Sequence, residues 1–106
     1  MVLREKGRPL LVVVAGDREV DLKRLAAGIG EKRLRMASRH EAESLTGLLT
    51  GGISALALLN KGFGVCLDSG ASQWEHIYVS AGQRGINLRV PVSDFVALTA
   101  ARFVEC

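Results

Sequence analysis

One apolar run, residues 9–15 with the sequence PLLVVVA, constrains the fold of this chain more than any other feature. Its three valines are β-branched and no polar residue interrupts it, which is typical of a strand buried on both faces of a sheet. Gly16 and Asp17 follow directly and predict a turn. The run is far shorter than the roughly 20 apolar residues that a membrane-spanning helix needs. We therefore expect a protein built around a buried strand, without a membrane segment.

Length and charge narrow the class of protein. With 106 residues, of which 48% are hydrophobic and 24% charged, the sequence predicts a single folded domain over residues 1–106. The N-terminus lacks the ordered regions of a secretory signal, so a cytoplasmic location is expected. A formal charge of +3 permits a polyanionic partner without requiring one. Cys66 and Cys106 are expected to be reduced thiols rather than a disulfide framework.

Capping residues and hydrophobic patterns predict the local elements. Three helices are expected: one between Asp21 and Gly30, one that begins after Ser38 and ends near Gly47, and a last one opened by Pro91 and Ser93. Further strands are predicted at residues 34–37, 64–68, 76–80 and 86–90, the last two as a hairpin. Because helices and strands alternate irregularly, an α+β fold with a mixed sheet is favoured over a regular βαβ series.

The stretch LTGLLTGGISALALLNKGFGV, residues 45–65, contains five glycines among apolar residues. The spacing of Gly47, Gly52 and Ser54 approaches that of a phosphate-binding loop, but Ile53 occupies the position of the required lysine. The segment also follows a predicted helix rather than a strand, so a Walker-type nucleotide site is excluded. Two interpretations stay open: a tight turn without a ligand, or a loop that presents backbone groups of Gly51 and Gly52 to a small ligand.

Three segments carry a further signal: GDREVDLKRL at residues 16–25, LTG with GGIS within residues 45–54, and IYVSAGQRG at residues 77–85. Taken in this order, they resemble the YbaK/EbsC family. The family comprises trans-acting aminoacyl-tRNA deacylases and the editing insertion of bacterial prolyl-tRNA synthetases, and the similarity extends from about Leu3 to Leu98. The resemblance implies an α+β fold with a strongly curved, barrel-like mixed sheet and short flanking helices.

The resemblance also implies a reaction and a partner. The reaction is hydrolysis of the ester that joins a wrong amino acid, commonly alanine or cysteine, to the 3′ end of proline tRNA. Prolyl-tRNA synthetase is then an expected partner, and neither a cofactor nor a metal is expected. An aminoacyl ester is already activated, so orientation and N–H donors toward the developing oxyanion could supply much of the acceleration without a catalytic triad.

The resemblance places the substrate pocket on two of the matching segments and assigns no catalytic residue. The implied substrate-binding residues are Thr46, Gly51, Gly52, Ile53, Ser54, Ser80, Gly82 and Asn87. His40 and His76 are interpreted as surface or structural histidines, and Cys66 as a core residue.

The chain departs from the family pattern at three places. Ala55 stands where relatives carry the proline of G-x-x-x-P, which predicts a looser loop, and Asn87 stands where relatives often carry an acidic residue. Family members have further residues ahead of the segment that matches Met1, including pocket-covering helices and a lysine central to activity, and Lys6 does not match that lysine. We therefore expect a truncated or divergent member, and the sequence does not decide whether it retains hydrolytic activity. Its exposed apolar surface is expected to favour self-association.

Two alternatives to editing stay open. Six basic residues are dense enough to form a basic face of a non-catalytic module that binds tRNA or a synthetase, although a solvated helix surface is the favoured interpretation of them: Lys23, Arg24, Lys32, Arg33, Arg35 and Arg39. The other alternative is a structural remnant that self-associates through its uncovered face.

Overall fold

The computed structural model describes residues 1–5, 7–15, 19–49, 52–59, 61–83 and 85–106. Its elements, in chain order, are β1 Val2–Arg4, β2 Leu10–Val13, α1 Leu22–Ile29, β3 Leu34–Met36, α2 Arg39–Thr46, β4 Gly64–Asp68, a 3₁₀ helix Ser69–Gln73, β5 His76–Ser80, β6 Asn87–Pro91, α3 Val92–Thr99 and β7 Arg102–Val104. No helix in these ranges has both the length and the apolar character needed to cross a membrane.

The first helix forms where its capping residues predicted it. Asp21 is the N-cap of α1, and its Oδ1 accepts hydrogen bonds from the N–H groups of Lys23 and Arg24 at 3.0 and 3.1 Å. Gly30 ends the helix in the left-handed conformation with a φ of 76°. A residue with a side chain would be strained in this conformation, so Asp21 and Gly30 together determine both ends of α1.

The second helix has the predicted capping box. The Ser38 hydroxyl accepts a hydrogen bond from the N–H of Glu41 at 3.1 Å, and the Glu41 carboxylate accepts one from the N–H of Ser38 at 3.0 Å. Gly47 ends α2 with a φ of 72°. Both boundaries confirm the predicted helix.

Five strands form a mixed sheet in the order β3-β1-β2-β4-β7. Strand β1 is antiparallel to β2 and β3, whereas β4 is parallel to β2 and β7. The central position of β2 confirms the interpretation of residues 9–15 as a buried strand. Strands β1 and β7 were not predicted; each has three residues, too few for a hydrophobic period to show.

The expected barrel-like closure of the sheet is wrong. The five-stranded sheet is open, with β3 at one edge and β7 at the other. Closure would require these edges to be joined through further strands. The two remaining strands, β5 and β6, instead pair with each other as a separate antiparallel sheet. The fold is therefore α+β with an open mixed sheet and an accompanying hairpin.

The hydrophobic core lies on both faces of the five-stranded sheet. On β2 and β4, Leu11 and Val65 belong to one buried cluster, and their neighbours Leu10 and Cys66 belong to the other. The first cluster also includes Leu58, Leu67, Val79, Val92, Phe95 and Ala101, and the second includes Val2, Leu25, Val104 and Cys106. Helix α3 and the hairpin thus cover one face and α1 covers the other.

Candidate functional site

A turn over residues 52–59 contains three of the candidate site residues, Gly52, Ile53 and Ser54, and is held together by Ser54. The Ser54 side chain is buried, and its Oγ accepts hydrogen bonds from the N–H groups of Leu56 at 3.2 Å and Ala57 at 3.4 Å. The Gly52 N–H donates to the Leu49 carbonyl at 2.8 Å. Ser54 therefore fixes the shape of the turn. Gly51, also a candidate, lies outside the described residues.

The side chains of this turn also anchor it to the core. Leu58 is buried in the cluster beneath α3, and Ile53 and Ala55 pack against that cluster. The turn therefore has a defined position relative to the sheet, although Ala55 replaces the proline that the family pattern expects.

The end of the β5–β6 hairpin brings together three further candidates. Ser80, the last residue of β5, is paired directly with Asn87, the first residue of β6. The Gly82 N–H donates to Ser80 Oγ at 3.3 Å, and the Ala81 N–H donates to the Ile86 carbonyl at 2.9 Å. Directly paired strand residues have their Cβ atoms about 5 Å apart. One hydroxyl and one carboxamide are therefore close enough to bind the same small polar group.

Gly82 joins the turn to the hairpin. Its φ is 92°, and a Cβ placed on it would lie 3.1 Å from Ala57 Cβ. Only a glycine permits both this backbone conformation and this close approach. We call the joined segments, residues 52–59, residues 80–82 and Asn87, the turn–hairpin junction.

Thr46 lies on another side of the same turn. It lines a cavity of about 570 Å³ together with Leu58. Its hydroxyl donates to the Ala42 carbonyl at 2.7 Å and accepts from the Leu48 N–H at 3.1 Å. Within the described ranges no hydrogen bond connects Thr46 to Ser80 or Asn87. The structure thus gives Thr46 a place at the end of α2, apart from the hairpin candidates.

The histidines and Cys66 have the surroundings that the sequence predicted. His40 and His76 are exposed, on α2 and β5, and His76 Nδ1 lies 3.5 Å from Arg89 Nη2. Cys66 is buried and is not part of a disulfide, and Cys106 is buried as well. Burial raises the pKa of the Cys66 thiol, against a smaller lowering by the nearby charges of Arg102 and Arg4. A raised thiol pKa keeps Cys66 protonated and makes it a poor nucleophile.

Most of the basic residues singled out in the sequence form ion pairs. The pairs are Arg24 with Glu105 at 3.0 Å, Arg33 with Glu5 at 3.9 Å, Arg35 with Glu41 at 2.8 Å and Arg39 with Glu43 at 3.5 Å. Each carboxylate offsets the field of its partner locally. This pairing favours the interpretation of a solvated, ion-paired surface over that of a basic face.

Sequence reasoning missed two side chains beside Ser80. In a strand, residues two positions apart share a face, so Tyr78 lies on the same face as Ser80, and Arg89 is paired directly with Tyr78. Tyr78 is 73% exposed. The alternation of buried Val79 with its neighbours within residues 76–80 was the signal that could have identified this face.

Comparisons with known proteins place the chain in a family. The family model described as aminoacyl-tRNA editing domain matches residues 1–98. A protein of Enterococcus faecalis named "Putative Cys-tRNA(Pro)/Cys-tRNA(Cys) deacylase EbsC" is 35% identical over 100 residues, which are 94% of this chain and 60% of that protein. The chain thus spans 60% of the length of this curated relative.

Two solved structures have a similar fold. The crystal structure of the hypothetical protein APE2540 matches with a TM-score of 0.83 and 24% identity, over 97% of this chain and 69% of that one. A structure described as "a putative trans-editing enzyme for prolyl tRNA synthetase" matches with a TM-score of 0.82 and 24% identity, over 99% of this chain and 66% of that one. At this level of identity the two structures establish the fold.

Proposed function

The chain belongs to the aminoacyl-tRNA editing domain family, and we propose that it hydrolyses the ester bond of a mischarged tRNA. The proposed substrates are cysteinyl- and alanyl-tRNA of proline. The curated relative is named for cysteinyl-tRNA substrates, which favours cysteine among the two. Prolyl-tRNA synthetase is the proposed partner, and the cytoplasm, where tRNA is charged, is the proposed site of action.

The turn–hairpin junction is the observation that supports this proposal best. In this junction the contact of Gly82 with Ala57 places the turn of residues 52–59 beside the end of β5, where Ser80 is paired with Asn87. In the proposed complex the Ser80 hydroxyl donates to the ester carbonyl oxygen, where negative charge develops. The carboxamide oxygen of Asn87 accepts a hydrogen bond from the α-amino group of the amino acid. The turn forms the wall that limits the size of the side chain.

The proposed reaction needs water as its only co-reactant. A water oxygen attacks the ester carbonyl carbon, and the tetrahedral intermediate then expels the ribose oxygen, which takes up a proton that the attacking water has lost. The products are the free amino acid and the uncharged tRNA. Because the leaving group is already activated, fixing the ester beside one or two donors can supply the greater part of the acceleration.

Replacement of Ser80 tests this assignment. We expect Ser80→Ala to slow release of cysteine from cysteinyl-tRNA of proline by about 100-fold, the usual effect of removing one oxyanion donor. Release is measured from labelled amino acid at a fixed concentration of protein and tRNA. Ser44→Ala, at an exposed position of α2, is the matched control and should release cysteine at the same rate as the unmodified chain.

Two results would count against the proposal. Equal rates for Ser80→Ala and Ser44→Ala would remove Ser80 from the site. Salt-sensitive tRNA binding by the unmodified chain without any release of amino acid would contradict hydrolysis and favour a non-catalytic binding module.

We also propose that the chain self-associates through apolar side chains near the turn. Leu45 and Leu49, which flank the end of α2, are 50% and 60% exposed. Such side chains gain from burial in an interface. Light scattering across a dilution series should show an average mass that decreases as the protein is diluted. A constant monomer mass would contradict self-association.

A further inference from the structure

A cleft with two aromatic side chains opens at the carboxyl ends of β2 and β4. Its volume is about 500 Å³, and its lining includes Val13, Val14, Leu67, Trp74 and Tyr78. This volume is within the range of small-ligand sites. In open sheets, the carboxyl ends of neighbouring parallel strands are a preferred place for ligands, and β2 and β4 are parallel neighbours.

The two aromatic side chains expose most of their surface. Tyr78 is 73% exposed and Trp74 is 65% exposed, and Tyr78 exceeds all other large hydrophobic side chains in the described part of the chain. Both line the same cleft, at the start of the hairpin. Exposed aromatic rings beside a cleft are suited to stack on flat groups such as nucleobases.

The face of the hairpin on which Tyr78 lies carries positive charge and no acidic residue. By strand register the face consists of His76, Tyr78, Ser80, Asn87, Arg89 and Pro91. Arg89 is paired directly with Tyr78, and its Nη2 lies 3.5 Å from His76 Nδ1. Among the residues that line the cleft, Asp68 is only 8% exposed, and its Oδ1 accepts a hydrogen bond from the Cys106 N–H at 3.5 Å. The outward face is thus complementary in charge to a phosphate.

We propose that this cleft and face bind an unpaired nucleotide of the tRNA 3′ end, with its base stacked on Tyr78 and its phosphate beside Arg89. An aromatic ring next to a cation is the usual combination for single-stranded RNA. Tyr78 and Ser80 are two strand residues apart, roughly 7 Å. A nucleotide on Tyr78 is therefore the neighbour of the aminoacylated nucleotide whose ester reaches Ser80. The choice of tRNA as the RNA rests on the proposed function.

Binding of uncharged RNA tests the inference independently of hydrolysis. The probe is a fluorescein-labelled stem-loop RNA with an unpaired 3′ CCA end, compared with the same stem-loop without the overhang. Anisotropy should show tighter binding of the probe with the overhang. The emission of Trp74, the single tryptophan, should change on binding, because Trp74 lines the cleft.

Variants of Tyr78 separate stacking from general effects on the surface. Tyr78→Ala should weaken binding of the overhang probe by about 5-fold to 100-fold, the range found for loss of one stacking ring, and Tyr78→Phe should stay within about twofold. Leu98→Ala, which removes an apolar side chain of α3 that is 63% exposed, should have no effect. Arg89→Met should weaken binding and lower the slope of log affinity against log salt by about one.

Several results would overturn the inference. They are equal binding of the two stem-loops, no binding of either, unchanged affinity of Tyr78→Ala, or an equal loss for Tyr78→Ala and Leu98→Ala. Because the probe carries no ester, overhang binding that depends on Tyr78 supports the cleft even if no amino acid is released from charged tRNA. Release of amino acid that is unaffected in Tyr78→Ala would overturn the cleft while leaving the proposed function in place.

Discussion

Glu41 has two partners at the start of α2, and both favour its charged form. Its carboxylate accepts two hydrogen bonds from Arg35, at 2.8 and 2.9 Å, and one from the Ser38 N–H. The Arg35 side chain, followed by the Ser38 backbone, lowers the pKa of Glu41 from 4.5 to about 2. The same contact raises the pKa of Arg35. The capping box is therefore strongest in the ionised state of Glu41.

This pKa predicts how the stability of the chain depends on acid. Because the folded pKa is the lower one, the contribution of Glu41 is complete above about pH 4.5 and is lost as the pH falls toward 2. A carboxyl-detected NMR titration should place the Glu41 midpoint near pH 2. In Arg35→Met the midpoint should rise, because the hydrogen bonds from Arg35 that contribute most to lowering the pKa are removed. An unchanged midpoint in that variant would show that Arg35 does not control Glu41.

The sequence predicted the surroundings of some candidate residues better than those of others, for physical reasons. Ser80 and Asn87 come together because strand alternation and a glycine turn determine the hairpin register, and both signals are local. Ser54 was expected to bind substrate, but its buried Oγ accepts hydrogen bonds within its own turn. Tyr78 was missed because exposure of one strand face depends on what packs against the other.

At the scale of elements, local signals were reliable and long-range ones were not. The caps at Asp21 and Gly47 depend on hydrogen bonds within a few residues, and both helices form as predicted. Strands β1 and β7 are defined by pairing with distant segments, which a single sequence does not show. Residues 86–90 were expected to be half-buried; Val90 packs against the core, but Leu88 is 45% exposed.

The contact between turn and hairpin is an element-scale feature that a single substitution tests. Gly82→Ala combines a positive φ with a Cβ that would lie 3.1 Å from Ala57 Cβ, so we expect a loss of about 1–3 kcal/mol in the free energy of unfolding. It should also separate the two segments of the junction and reduce activity. Urea denaturation measures the first effect and amino acid release the second.

Gly85→Ala is the matched control for this substitution. Gly85 has a φ of 76°, and a Cβ placed on it would meet no atom within 4 Å. The variant therefore has the backbone strain without the close approach and should lose less stability than Gly82→Ala. Equal losses of stability and activity for the two variants would show that the contact with Ala57 has no role.

At the scale of the molecule, the open five-stranded sheet supports both the junction and the aromatic cleft. Helix α3 and the hairpin cover one sheet face, so β5 presents its other face outward with Tyr78 and Ser80 on it. The order of strands could not be derived from the sequence, because parallel pairing of β2 with β4 joins segments about 50 residues apart. The irregular alternation of helices and strands predicted the fold class, the family resemblance implied a barrel-like sheet, and the structure corrects that sheet to an open one.

The activity that we propose removes a wrong amino acid from proline tRNA and leaves the right one attached. The most direct measurement compares the initial rates of amino acid release from cysteinyl-, alanyl- and prolyl-tRNA of proline by the purified chain, with heat-inactivated protein as the baseline. We predict release of cysteine or alanine well above the baseline and release of proline close to it. Rates equal to the baseline for all three substrates, or equally raised for all three, would contradict the claim.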